Sequence, residues 1–172
     1  MSTPTKRSSM GIYAVVPFLM ALLTSVLSNL SFGLSNLPDA APFLTLIVVF
    51  FWTARRPEAL PPLVVFLIGI WHDSLAGTPI GMSSFILLGA RIAVTEQNIF
   101  IFAQSFILGW LGFSVVCAIA VAAKWMIASW MLGEMLALGP FGIQWLLSMV
   151  FYPIVGAICG WLDQWIFFGR RG

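Results

Sequence analysis

Six apolar stretches, separated by short polar or turn-rich segments, organise this chain. They cover residues 12–31, 42–53, 60–71, 82–94, 99–123 and 143–168. Apolar residues fill each stretch on all sides rather than along one face, which is typical of helices inside a membrane or a buried core. A helix needs about 20 apolar residues to cross a bilayer, and the first, fifth and sixth stretches provide them. The pattern therefore predicts six helices that thread a membrane.

The second, third and fourth stretches are shorter, and two interpretations of them are open. At about 1.5 Å per residue they cover roughly 20 Å of a hydrocarbon core that is about 30 Å thick. They are either full spans that extend into their flanks or re-entrant segments. Six crossings place Arg55 and the C-terminal Arg170 on one side, whereas dropping one crossing separates them. The basic residues therefore favour six full spans.

The same basic residues predict an orientation. With six crossings, seven of the eight lie on one side: Lys6, Arg7, Arg55, Arg56, Arg91, Arg170 and Arg171. Cytoplasmic flanks collect Lys and Arg, so we expect both termini in the cytoplasm and only Lys124 outside. The tryptophans fit this map, with Trp52 and Trp165 beside the arginines. The chain then divides into a tail at 1–11, one membrane domain at 12–168, and a basic tail at 169–172.

Composition narrows the class of protein further. Of the 172 residues, 60% are hydrophobic and only 8% are charged, and the mean hydropathy is +1.02. Such a chain has too little charge to cover the surface of a soluble domain. The net charge of +2 is too small to suggest a nucleic-acid partner. Cys117 and Cys159 lie in separate apolar stretches, so we interpret them as small packing residues and not as a disulfide or redox pair.

Groups suited to catalysis or metal binding do not cluster in the sequence. Five acidic residues fall in loops or at span ends, and we expect the sixth, Asp163, to reach the cytoplasmic headgroups near the chain end. Arg91 is expected to extend to the inner surface in the same way. The single histidine, His72, cannot build a metal site alone. We therefore expect no enzyme, no cofactor and no metal ion.

One segment is dense in distinctive residues, between the third and fourth stretches. It contains Gly69, Asp73, Gly77, Pro79 and Gly81. We expect Asp73 to end the third helix at the outer boundary and to accept backbone N–H groups of the loop or of the fourth helix. The glycines supply turn geometry or close backbone approach. Two roles stay open: a structural hairpin, or a contact site for a partner or ligand.

The end of the chain carries further candidates. Pro153 is expected to kink the sixth helix. Gly156 and Gly160, four residues apart, form a candidate close-packing face. The segment at 124–139, rich in Trp and Met, is expected to lie along the outer interface or to cover the bundle there.

Several of these residues together resemble the family of the rod shape-determining membrane protein MreD. They are the aromatic end Phe50-Phe-Trp52, the Arg56-Pro57 loop, the series Gly69, Asp73, Gly77, Pro79 and Gly81, and Tyr152-Pro153 in the last span. The Asp-x-x-x-Gly-x-x-x-Gly hairpin is the most specific of them. The long segment between the fifth and sixth spans departs from the family pattern.

The resemblance implies a fold, a place and a set of partners. The fold is an all-α bundle of six transmembrane helices, with both termini inside, similar to the substrate-binding subunits of energy-coupling-factor transporters. The place is the bacterial inner membrane, where a non-enzymatic scaffold supports peptidoglycan synthesis and rod cell shape. The partners are an MreC-like single-span protein, MreB, RodA, a class B penicillin-binding protein and membrane lipids. The fold analogy keeps an alternative open, a subunit that binds a vitamin-type small molecule for a transporter.

Overall fold

A computed structural model describes residues 7–29, 41–96 and 106–168 of the chain. These residues form six α-helices: α1 (Arg7–Asn29), α2 (Leu44–Arg55), α3 (Pro62–Ala76), α4 (Met82–Glu96), α5 (Phe106–Leu132) and α6 (Leu138–Phe168). Each helix falls on one of the six apolar stretches, so the all-helical prediction is confirmed. Most of both predicted tails, the loop around Asp39 and the start of the predicted fifth span lie outside the described residues.

The short second helix begins later than its sequence suggests. The second apolar stretch begins at Pro42, but the helix starts at Leu44 and Phe43 holds the N-cap position. Phe43 has φ −82° and ψ 65°, which is not a helical conformation. By contrast, α3 begins with Pro62, where the fixed φ of proline suits the first turn. It continues to Ala76, so Asp73 lies in its last turn rather than at its end.

The segment at 124–139 forms the end of a helical hairpin, and its predicted place along the outer interface stays a prediction. α5 continues without a break to Leu132, because residues 113–132 contain no Gly or Pro. Gly133 has φ 69°, in the left-handed region that ends many helices. The following turn is held by the Trp125 indole N–H, which donates to the Leu136 carbonyl at 3.0 Å. α5 and α6 therefore form one long helical hairpin.

The centre of the bundle is α2. Every residue from Leu44 to Ala54 is buried, since α2 packs against α1, α4 and α6 and touches α5. A helix that is apolar on all sides suits such an enclosed position. Trp52 is 1% exposed at the core, so its predicted place at an interface beside the arginines is wrong. The helices α1, α4, α5 and α6 lie around α2, while α3 packs against α1 and α4 on the outside, and α5 lies next to α4 and α6.

The surface of the bundle is apolar, and several interior positions are polar. Each of the five outer helices exposes large apolar side chains, for example Leu23 of α1, Leu67 of α3 and Val150 of α6. Buried polar side chains include Ser25 and Ser148, both fully enclosed. Within the described residues, α5 and most of α6 are long and apolar enough to cross a membrane, whereas α2 and α3 are shorter apolar helices.

Candidate functional site

The carboxylate of Asp73 connects the end of α3 to the start of α4. It is fully buried and accepts hydrogen bonds from the Thr78 hydroxyl at 2.9 Å and the Gly81 N–H at 2.8 Å. It also accepts from the Ser83 N–H, at 3.1 and 3.2 Å to its two oxygens. The predicted acceptance of N–H groups from the loop and the fourth helix is thus confirmed. Because the first N–H groups of a helix lack partners within it, Asp73 acts as a cap supplied by the preceding helix.

The turn that delivers these donors depends on two glycines. Gly77 has φ 64° and Gly81 has φ 101°, both in the region that favours glycine. The N–H groups of Gly77 and Thr78 both donate to the backbone oxygen of Asp73, which closes the end of α3. Pro79 lies between the glycines, and its carbonyl accepts from the Met82 N–H at 3.1 Å. The turn geometry expected from the glycines is confirmed.

Gly69 marks the closest approach of α3 and α4. A Cβ atom at this position would lie 2.3 Å from the Cα of Ser84, so only glycine fits against that backbone. The Ser84 hydroxyl donates to the Phe66 carbonyl of α3 at 2.9 Å. The two helices are therefore fixed along their length by packing and at their connecting turn by Asp73.

His72, beside Asp73, ties this hairpin to α1. Its Nδ1 lies 2.9 Å from the Ser25 hydroxyl, and both side chains are buried. Its ring also lies 5.7 Å from that of Phe43, at the start of α2. We call this end of the bundle, with the α3–α4 turn, the turn end. Here α1, α2, α3 and α4 meet through polar contacts.

Side chains of α1 and α6 complete the turn end by binding the backbone that leads into α2, and α5 contributes a contact to one of them. The Phe43 N–H donates to the Ser148 hydroxyl at 2.9 Å, and the Gln144 amide donates to the Ala41 carbonyl at 3.0 Å. On the opposite side, the Ser28 hydroxyl donates to the Pro42 carbonyl. Lys124 donates to Gln144 at 3.5 Å. Sequence patterns did not indicate these bonds, because the partners lie far apart in the chain.

The candidates on α6 lie away from this hairpin. α6 is continuous through Pro153. A Cβ at Gly160 would come within 3.8 Å of the Phe51 ring tip of α2, and one at Gly156 would meet only Tyr152 of its own helix. Both are ordinary packing distances, so neither glycine brings two backbones of the described residues together, and a close-packing face toward a partner stays a prediction. The glycines do not let two backbones approach as Gly69 does.

The opposite end of the bundle, which we call the arginine end, holds an ion-pair cluster. Asp163 lies 3.0 Å from Arg56 Nε and 3.5 Å from an Arg55 nitrogen. Its side chain is mostly buried, so the expectation that it reaches the headgroups is wrong. Arg91 donates to the carbonyls of Leu60 and Pro57, at 2.8 and 3.3 Å, and does not extend freely. The sequence did contain a signal for this ion-pair cluster. It is the pair of adjacent arginines at the end of one helix, together with the single acidic residue in the last helix.

The described residues offer little for chemistry. They contain no group of three or more His, Cys, Asp and Glu side chains placed to hold a metal ion. Cys117 and Cys159 are buried free thiols. A groove of about 210 Å³ lies between α4 and α5. The residues that line it, which include Phe85 of α4 and Ile127 of α5, are apolar. The buried polar side chains His72, Asp73, Ser83 and Ser84 bond within the protein and do not line this groove.

Comparison of the chain with protein-family models, with curated proteins and with solved structures gave no match. The described residues form a bundle in which the polar side chains hold the helices to one another.

Proposed function

We propose that this chain is a polytopic protein of the bacterial inner membrane and a non-enzymatic scaffold of the MreD kind. The observation that carries the membrane assignment is the apolar surface on all five outer helices. In water such a surface would drive aggregation, since soluble proteins rarely expose large contiguous apolar patches. In a bilayer, where lipid surrounds the protein, an apolar outer surface is expected. The long helices α5 and α6 support the same assignment.

The scaffold role rests on what the polar groups do. Asp73 is the most distinctive residue of the family-like segment, and both its oxygens are used to hold α3 to α4. Asp163 is likewise occupied by two arginines. Charged groups inside a membrane protein are expensive, and here they join helices. These contacts support a rigid packing unit that a single-span MreC-like partner binds to support peptidoglycan synthesis.

The alternative, a subunit that binds a vitamin-type molecule, requires polar side chains directed into an open pocket. The outer cluster that could serve it consists of His72, Asp73, Ser74, Ser83 and Ser84. Four of these are buried, and the hydroxyl of the exposed Ser74 donates to the Ile70 carbonyl of its own helix. The groove between α4 and α5 is apolar and lies elsewhere. These contacts favour the scaffold.

The proposal is tested by co-expressing the chain with an MreC-like single-span protein and purifying the pair in mild detergent. We expect the two to elute together from membranes, and we expect cells that lack the chain to lose rod shape. Calorimetry with vitamins serves as the control for the alternative. A chain that purifies alone, from a host whose shape is normal after deletion, would contradict the scaffold role.

A further inference from the structure

Exposed apolar side chains form rows along the outer helices, and the rows differ greatly in length. On α6 the row recurs every three or four residues, from Leu146 through Val150 to Trp165. At about 1.5 Å per residue it is about 28 Å long. On α5 the row from Leu108 to Trp130 is about 33 Å long by the same measure. Both rows are close in length to the thickness of a hydrocarbon core, about 30 Å.

The corresponding row on α3 is much shorter. It runs from Leu63 to Leu75, which is about 18 Å. At one end the exposed Glu58 lies beyond the prolines that begin α3, and at the other end α3 stops at Gly77. The next exposed large apolar side chain, Ile80, belongs to the turn and not to α3. The row on α3 is therefore about 12 Å shorter than a typical hydrocarbon core.

A short helix has few ways to fit a thicker bilayer: the bilayer thins, flanking side chains snorkel, or protein covers the helix. Snorkelling needs a long basic side chain, and residues 57–90 contain no Lys or Arg. Arg91, at the arginine end, is held by the carbonyls of Leu60 and Pro57. It therefore cannot extend the reach of α3.

Tilting cannot relieve the difference either. A tilt of the whole bundle shortens the height of the long rows, but it shortens that of α3 as well. A separate tilt of α3 is opposed by the contact of Gly69 with Ser84 and by the bond between His72 and Ser25. The protein thus presents two unequal thicknesses to its surroundings within one packed unit.

We infer that the bilayer is thinned beside α3, while the α5–α6 hairpin spans its full thickness. The partner of this surface is lipid, and the inference rests on the proposed membrane location. In the proposed orientation the end of the hairpin belongs to the outer leaflet, and its apolar side chains Trp130 and Met135 are 84% and 89% exposed there. Lipid beside α3 is drawn inward to meet the ends of this short helix.

Spin labels at the two ends of α3 test this inference. Leu63→Cys and Leu75→Cys, each in the full chain, carry a nitroxide and are reconstituted in dioleoyl phosphatidylcholine vesicles. Power-saturation measurements compare collisions with oxygen, which concentrates in hydrocarbon, and with a water-soluble nickel chelate. A label at Leu67→Cys, in the middle of α3, is the matched control. The unsubstituted chain gives the background from its buried cysteines.

With thinning, both end labels collide with the chelate several-fold more often than the Leu67 label, which sees mainly oxygen. In a bilayer of ordinary thickness at least one end of α3 lies in hydrocarbon, and a chelate-inaccessible label at Leu63 or Leu75 would overturn the inference. A Leu67 label shielded from both reagents would also overturn it, because protein would then cover α3. A Leu67 label open to the chelate would instead contradict the membrane location itself.

Discussion

At the scale of single residues, Asp73 makes the most demanding contacts of the turn end. Its two oxygens accept from one hydroxyl and two backbone N–H groups, all on the segment that leads into α4. A buried N–H or O–H group that loses its acceptor stays out of contact with water, which costs free energy. It no longer forms the hydrogen bond that offset this cost. The cost of replacing this residue is therefore larger than the value of any one bond.

We expect Asp73→Ala to lower the free energy of unfolding by about 2–4 kcal/mol, because it leaves several donors without an acceptor at the start of a helix. Asp73→Asn is the matched control, since its amide oxygen still accepts one or two of these bonds. It should lose about half as much. Thermal unfolding in mild detergent, followed by circular dichroism, measures both. If Asp73→Ala were as stable as the unsubstituted chain, the carboxylate would not stabilise the α3–α4 hairpin.

At the scale of elements, the arginine end joins the last residues of α2 to α6. Asp163 binds Arg56 through one oxygen and Arg55 through the other. Since α2 is short and enclosed, this cluster fixes its C-terminal end, while Ser148 binds the backbone before its N-terminal end. The same helix, α6, thus holds both ends of α2.

We expect Asp163→Asn to destabilise the chain by about 1 kcal/mol, a modest value because the arginines are a third or more exposed and their pairing is screened. The loss should shrink as salt concentration rises, since screening weakens the pairs in the parent chain. Glu58→Gln, a change at an exposed acid near the same end, is the control and should leave stability unchanged. A large loss that salt does not alter would point to packing around Asp163 rather than to ion pairing.

The sequence predicted local features well and distant partners poorly. The six apolar stretches gave the helices, and the spacing of Asp73 from Gly81 gave the cap, because both depend on neighbours in the chain. The pairing of Arg56 with Asp163 joins residues 107 positions apart, which no local pattern reports. The central place of α2 was equally hidden, because an all-apolar helix suits lipid and protein surroundings alike.

At the scale of the whole molecule, the proposed membrane orientation can be tested through the two ends of the bundle. The α2–α3 loop at the arginine end carries the exposed Glu58, and the α3–α4 turn at the opposite end carries the exposed Ile80. Helices that alternate in direction place these loops on opposite faces of a bilayer. Basic residues at the first loop favour the cytoplasmic face for it.

We expect the variants Glu58→Cys and Gly172→Cys to be labelled by an impermeant maleimide only after the inner membrane is opened. Ile80→Cys should be labelled in intact spheroplasts and serves as the control for reagent access. Gel shifts of the labelled chain provide the measurement. If the Glu58 and Gly172 positions reacted from opposite faces, six crossings with both termini inside would be wrong.

The enclosed position of α2 has a consequence for how the protein is made. In this chain α2 is synthesised before three of the four helices that pack against it. In the proposed membrane location, newly made α2 therefore waits in contact with lipid or with the insertion machinery, and it leaves these surroundings when α4, α5 and α6 arrive. Assembly of this bundle then ends with its last helix, α6, closing over the second.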